Sequence, residues 1–473
     1  MKLDKSQSIF IDNFIEEINK FEIDFMVLTG PAGSGKTEII KKATDICKEM
    51  NIGYQCLAFT GRAASVLRSR GLSNSKTIES WLRGLKLRAL HEELQKFEKF
   101  VFFIDESSMI SNSAIIFEDR EPDLDFKLDE IMWTTYRHFP VDKVLFLFVG
   151  DQNQLPPIKH DYCPALDIEY LEYRYGLRGK KHELNVIHRQ NTDSKITEIA
   201  KRFMTTSQDV DIKIPAIESF DESIQFVDDK DVVSIYFDLY FQNKHDVKII
   251  TATNKKADYY NFMIKERLST GETQRYEPFQ IPNSYLEPQK GDILQLFENS
   301  YINKDYPLYN GQFLEILDIG DVEEVILSKG PNKNDYIPFI YQNLKVATVS
   351  ENGKKSGESQ EIAISVDHMV NSFNLTSKEY EYFDKKGSIL QEILDFKAKS
   401  NKSIYFDKKY RPVLVKYGYS ITGHKAQGGG WGNIIIDFSG FNNEGGHLPP
   451  SWIYTAITRT KSNLYIANYP NGE

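Results

Sequence analysis

Cysteine is scarce. The 473-residue chain carries three, Cys47, Cys56 and Cys163, too few for a disulfide framework and without the paired spacing of a zinc site. A reducing cytoplasm is therefore expected, that of a bacterial cell or of a host supporting a phage. Long apolar runs are also missing. The longest candidate, Val144–Val149, falls far short of the roughly 18 residues that suggest a membrane span, so no membrane partner is expected. Met1-Lys2-Leu3-Asp4-Lys5 has no apolar core, which argues against a secretory leader. Positive charge is not in excess: 58 Lys and Arg against 68 Asp and Glu give a net charge of −10. This excludes a simple basic coat for nucleic acid. It does not exclude basic residues lining one groove, because local potential outweighs the total. Internal repeats are absent.

What is present is an ordinary globular composition, 41% hydrophobic and 27% charged. Single cores stop growing at roughly 250–300 residues, so two to four domains are expected. Aromatic residues make up 13% of the chain; most belong in cores, and some have the chemistry to stack on bases.

The first informative segment is a short apolar run, Phe25–Thr29, followed at once by Gly30-Pro31-Ala32-Gly33-Ser34-Gly35-Lys36-Thr37 and then by apolar residues at helical spacing. Strand, glycine-rich loop and helix is the context that a Walker A motif requires. Glycines let backbone N–H groups turn toward phosphates without side-chain clash. The helix N-terminus adds partial positive charge. Lys36 supplies a point charge to the β- and γ-phosphates, and the Thr37 hydroxyl completes the shell of a magnesium ion. ATP and Mg2+ are therefore the expected ligands.

A second apolar strand, Val101–Ile104, ends in Asp105-Glu106, a Walker B pattern in which Asp105 would hold magnesium and Glu106 would orient and deprotonate the attacking water. A third, Lys143–Val149, ends in Gly150-Asp151-Gln152-Asn153-Gln154, where Gln154 could hydrogen-bond the γ-phosphate or its water. The bland reading of that loop is a polar strand end. Strands feeding functional loops and helices imply an α/β fold, with a parallel doubly wound sheet and its site at the C-terminal strand edge.

In the order and spacing of these motifs the chain resembles superfamily 1 helicases, most of all the RecD, Dda and PIF branch, which in that family moves five-prime to three-prime. The resemblance implies two RecA-like P-loop domains and the following roles. Gln7, in Leu3–Gln7, would read the adenine edge; a polar helix N-terminus is the alternative. Thr60, Gly61 and Arg62 match the strand-gripping motif Ia, with Phe59 where the family usually has Pro. Thr77 and Ser80 match motif Ib as phosphate donors, with Glu79 where His is common; helix capping is the alternative for both. Arg189 of motif IV would reach the γ-phosphate, and Thr253 and Asn254 could touch the strand. In Tyr417–Gly428, which matches motif V closely, Thr422 and His424 would hold DNA while Gln427 and Gly428 face the nucleotide. In Tyr454–Arg459, which matches motif VI, Arg459 would act as an arginine finger, a residue worth about 10³–10⁵-fold in rate.

The expected architecture places motor domain 1 in residues 1–185, with a small insertion at about 82–100. Motor domain 2 takes 186–285 plus 411–473, and a β-rich SH3-like insertion fills 286–410. Within the insertion, Lys290–Phe297 alternates like a strand, Asn310-Gly311 reads as a turn before another strand, Lys354–Glu361 as a polar break, and 376–400 as helix. Residues 82–100 read as helical where relatives carry a duplex-splitting hairpin, and the acidic stretch within 111–140 reads as a solvated surface loop. The expected activity is ATP-driven translocation on single-stranded DNA with unwinding of tailed duplex, by a chain that suffices as a monomer. A translocase without strong unwinding and an RNA helicase are the nearest alternatives. A binding module with a silent nucleotide site and a small-molecule kinase fit less of the motif set.

Overall fold

The computed structural model describes residues 3–85, 96–115, 123–158, 160–187, 195–204, 222–271, 287–300, 303, 307–328, 336–349, 355–366, 369, 412–439 and 449–469. The chain divides into two compact units, one of residues 1–217 with 448–458, the other of residues 218–447 with 459–473. The first unit runs past residue 185 and also takes up 448–458, a segment that the sequence reading assigned to the second motor domain.

In chain order the first unit contains α1 (Lys5–Lys20), β1 (Phe25–Thr29), α2 (Lys36–Glu49), β2 (Gly53–Ala58), α3 (Gly61–Ser69), β3 (Ser75–Thr77), α4 (Ile78–Leu85) and β4 (Phe100–Asp105). A small hairpin follows, β5 (Ser113–Ile115) and β6 (Asp123–Asp125), then α5 (Lys127–Tyr136), β7 (Val144–Gly150), α6 (Ile168–Tyr175), β8 (Gly179–Glu183) and α7 (Lys195–Arg202). Six of the strands form one sheet in the order β3-β2-β4-β7-β1-β8, all neighbours parallel. β1 and β7 are buried along their whole length, as strands covered on both faces must be. The alternation of side chains divides the core in two. Leu145, Leu147 and Val149 point to the face covered by Phe10, Phe14, Ile39, Ile40 and Leu67 of α1, α2 and α3. Phe146 and Phe148 point to the face covered by Trp81, Ile131, Met132 and Leu171 of α4, α5 and α6. This is the doubly wound α/β sheet that the sequence implies.

The second unit starts with β9 (Ile224–Val227), α8 (Val232–Gln242), β10 (Val247–Thr251) and α9 (Asn254–Thr270). After β11 (Ile293–Leu296), β12 (Phe313–Ser328), β13 (Tyr336–Val349), β14 (Lys355–Ser365) and β15 (Val415–Tyr417) come β16 (Ser420–Thr422), the single turn α10 (Gly423–Ala426) and β17 (Trp431–Asp437). The chain then makes α11 (Pro450–Ile457) of the first unit and returns as β18 (Thr460–Ala467). A second parallel sheet has the order β16-β10-β17-β18-β9. A separate antiparallel sheet has the order β14-β13-β12-β11-β15.

That third sheet lies where a β-rich insertion is expected. Gly311 adopts a left-handed φ of +83°, so Asn310-Gly311 acts as the turn device before β12. Lys354–Glu361 is not a polar break, because β14 begins at Lys355 and pairs with β13 from Val349↔Lys355 onward. A partner strand supplies backbone hydrogen bonds whatever the polarity of the side chains. The acidic stretch needs a similar correction. Residues 123–136 form β6 and α5, with Leu128, Ile131 and Met132 in the core. Of the helical reading for 82–100, α4 accounts for the start and residues 86–95 lie outside the described residues, as do 376–400.

Candidate nucleotide and strand-binding sites

The phosphate loop lies at the C-terminal end of β1. Gly33 and Gly35 have φ of 87° and 83°, a conformation that side chains rarely tolerate. Gly35 caps α2 with no side-chain hydrogen bond, so the first amides of that helix are kept for a ligand rather than for a cap. Gly30 is needed for a different reason. A Cβ there would meet Ser34 Oγ at 2.7 Å and Leu184 Cβ at 2.9 Å. Lys36 Nζ donates to the carbonyls of Gly30 at 2.6 Å and Pro31 at 3.0 Å. Gln7 is wholly inside the fold. Its Oε1 accepts from Asp4 N–H at 3.1 Å in a capping box, and its Nε2 donates to the Ser34 carbonyl at 3.0 Å. The helix-end reading of Gln7 and a place at the phosphate loop are thus both realised.

β7 is inserted between β1 and β4, so three loops emerge side by side: Gly30–Thr37, Asp105-Glu106 and Asp151–Gln154. Burial raises the proton affinity of Asp105; the Glu106 N–H, which donates to Oδ1 at 3.0 Å, and the charges of Lys36 and Arg70 oppose this. Glu106 has φ 54° and ψ 39°, a left-handed conformation that costs a non-glycine residue roughly 1–2 kcal/mol. Such strain at a strand end is characteristic of a functional turn. Asp151 is completely buried. Its Oδ1 accepts from Asn153 N–H at 3.1 Å, and its Oδ2 from Gln154 Nε2 at 3.3 Å and the Tyr454 hydroxyl at 2.8 Å. Tyr454 also accepts from Ala32 N–H at 3.1 Å, and Thr455 Oγ1 accepts from Leu155 N–H at 2.9 Å. Asp151, Tyr454 and Thr455 were not singled out on sequence, although all three stand inside motifs that were.

The candidate strand contacts of the first unit are helix ends. Thr60 accepts from Ala63 N–H at 3.1 Å and Thr77 from Ser80 N–H at 3.1 Å; Gly61 and Arg62 are buried in the first turn of α3. In the second unit Thr253 accepts from Lys256 N–H at 3.2 Å, with Asn254 opening α9. Capping uses each hydroxyl as an acceptor, so the same group can still donate to a phosphate. Thr422 caps α10, which carries His424; burial lowers the proton affinity of His424. Lys425, beside it, stands over the Phe297 ring with Nζ 3.5 Å from the centroid. Gly428 has φ +70°, turning the chain after Gln427. Arg459 is buried against that turn, with Nη1 donating to the Gly429 carbonyl at 3.2 Å. Arg189 lies outside the described residues.

All three cysteines are buried and unpaired, and burial raises their thiols, Cys47 and Cys163 to about 12. They act as small core residues, not nucleophiles. Among the described residues no cluster of three or more His, Cys, Asp or Glu could hold a metal, and no helix is long and apolar enough to cross a membrane.

Comparison with known proteins agrees with this geometry. Residues 16–160 match the AAA domain family and residues 417–467 the UvrD-like helicase C-terminal domain. An uncharacterized protein of Methanocaldococcus jannaschii is 27% identical over 93% of this chain, which spans 36% of that protein's length. An uncharacterized protein of Acanthamoeba polyphaga mimivirus is 22% identical, over 97% of this chain and 98% of its own. Among solved structures, the Pif1 helicase from Candida albicans superposes with a TM-score of 0.50 at 16% identity, covering 99% of this chain and 95% of its own. Pif1 helicase from Bacteroides, in complex with ADP-AlF3 and single-stranded DNA, gives 0.50 at 16% identity, with 99% and 93% covered. A structure of two coordinating Pif1 helicases at forked duplex DNA gives 0.52 at 17%, with 98% and 92% covered. Two parallel sheets and a phosphate loop define the class, a P-loop protein of helicase architecture. Within that class the chain has the Pif1 helicase fold, in the superfamily 1 branch that its motifs resemble.

Proposed function

We propose that this chain is a Mg2+-dependent ATPase that translocates on single-stranded DNA five-prime to three-prime and unwinds tailed duplex. The observation that carries the reading is the convergence of Lys36, Asp105, Glu106 and Gln154 on one sheet edge, from loops that follow β1, β4 and β7. Chemistry there is positioning and electrostatics. The α2 amides and Lys36 bind the β- and γ-phosphates, Glu106 accepts a proton from the attacking water, and Gln154 orients that water. Thr37 and Asp105 would hold Mg2+, which neutralises phosphate charge; a carboxylate whose burial raises its proton affinity suits a cation, and Mg2+ needs only one or two protein ligands beside phosphate oxygens. Gln7 reads the adenine, and Gln427 and Gly428 face the nucleotide. Arg189 and Arg459 stabilise charge that develops on the transferred phosphoryl group.

DNA contacts fall to Thr60, Gly61, Arg62, Thr77, Ser80, Thr253, Asn254, Thr422 and His424, mainly through phosphates and with little base preference. The fold-level likeness to a Pif1 helicase solved with ADP-AlF3 and single-stranded DNA supports both ligand classes. Lys36→Ala tests the reading. Steady-state ATP hydrolysis is expected to vanish, while single-strand affinity and the circular dichroism spectrum stay near wild type. Undiminished turnover in that variant would sink the assignment.

A further inference from the structure

Helix α11 belongs to the first unit, and two of its hydroxyls are spent on the nucleotide-site loops. Tyr454 accepts from Ala32 N–H of the phosphate loop and donates to Asp151 Oδ2, at 3.1 and 2.8 Å. The same Oδ2 accepts from Gln154 Nε2 at 3.3 Å. Thr455 Oγ1 holds Leu155 N–H, the next backbone amide, at 2.9 Å. Tyr454, Thr455, Asp151 and Gln154 are all buried, and Gln154 Oε1 meets no hydrogen-bond partner within the chain. A buried acceptor without a partner is costly unless a ligand uses it.

We infer that Tyr454 is a positioning residue for ATP hydrolysis: one phenolic oxygen fixes the Ala32 segment of the phosphate loop and, through Asp151 Oδ2, aims the Gln154 carboxamide. The inference rests on the function proposed above and deepens it. A donor must fill Oδ2 for Asp151 to hold Gln154 in a single rotamer, and the Tyr454 hydroxyl is the one group that touches both loops. The chain leaves α11 at Ile457 and reaches Arg459 two residues later, so this anchor also fixes where the arginine-bearing strand begins. A phenylalanine at position 454 would fill the same space and remove only the two hydrogen bonds.

The test is Tyr454→Phe in the full chain, with oligo-dT as the single-stranded probe. The expected result is a fall in kcat of roughly tenfold, the rate equivalent of one buried hydrogen bond. KM for ATP and oligo-dT affinity should change by less than about threefold, since neither the phosphate-binding groups nor the strand contacts are altered. Gln154→Ala added to Tyr454→Phe should lower kcat little further, because the two act as one unit. Wild-type kcat in Tyr454→Phe overturns the inference, as does full additivity with Gln154→Ala. A parallel loss of kcat, ATP affinity, DNA affinity and thermal stability overturns it too, since that pattern marks a merely structural hydroxyl. If the wild-type protein itself turns over no ATP, the proposed function fails, and amide exchange then decides about Tyr454. Exchange in the 30–37 loop should still accelerate in Tyr454→Phe, and unchanged exchange overturns the inference.

Discussion

Residues in this chain carry functional meaning in proportion to how local their partners are. Lys36, Thr37, Asp105 and Glu106 are legible on sequence because their chemistry is set by the strand before and the helix or turn after. Tyr454 is not, because Ala32 lies 422 positions away, and nothing in the local pattern announces that pairing. Lys425 was missed for the same reason: its environment is made by Phe297, Lys416 and Asp258, far off in the chain. Burial first, then the Lys416 charge, pull its pKa down to about 8, with Asp258 opposing. The folded protein therefore holds this proton less tightly than the unfolded chain does. From about pH 8 up to the ordinary 10.5 the unfolded chain binds more protons, so the contribution of this group to stability rises with pH across that window and is flat below it. Denaturant midpoints at pH 7.5 and 9.5 check this. Wild type should gain stability, relative to Lys425→Met, on going to the higher pH; parallel pH profiles in the two proteins would remove the claim.

At the scale of elements, strands and helices with strong periodicity were legible, and those set by pairing were not. β1, β4 and β7 are continuous apolar runs, and such runs can only be buried strands when glycine-rich or acidic loops cut them short. β14 is polar at its start and forms because β13 offers a backbone ladder. The helix α5 was hidden behind an acidic stretch, although Leu128, Ile131 and Met132 repeat at helical spacing. In the second parallel sheet, one carboxylate ties three elements together. Asp437 ends β17 completely buried. It accepts from Tyr260 Oη at 2.8 Å and Asn468 Nδ2 at 2.8 Å, and it faces Lys256 Nζ at 3.3 Å. Tyr260 and Lys256 lie on α9, and Asn468 just beyond β18. Removing one partner of a buried pair strands the other, at about 3–5 kcal/mol. Asp229, 3.5 Å from Lys256 on the exposed side, offsets part of that. Asp437→Ala should therefore lower the unfolding free energy by about 3 kcal/mol, read by chemical denaturation, whereas a midpoint within error of wild type would show that the network is idle.

At the scale of the whole molecule, the motif order foretold two parallel sheets and the phosphate loop, and the fold agrees with both. It could not foretell how a duplex is opened. Unwinding needs more than a motor, because a translocating chain that cannot hold the two strands apart merely follows one of them. Relatives carry a hairpin between motifs Ib and II, where this chain continues from Thr77 into α4. The described hairpin, β5 with β6, comes after Asp105-Glu106 instead. The decisive measurement is ATP-dependent strand displacement on two matched duplexes, one with a single-stranded five-prime tail and one with a three-prime tail. Displacement is expected on the first alone. That result would establish polarity and show that a strand-separating element works even though α4 occupies the start of the segment where relatives place theirs. Equal displacement on both tails, or on the three-prime tail alone, would overturn the proposed direction. ATP hydrolysis stimulated by single strands with no displacement on either duplex would leave the motor intact and remove unwinding from it, and stimulation by single-stranded RNA beyond that by DNA would change the track on which it moves.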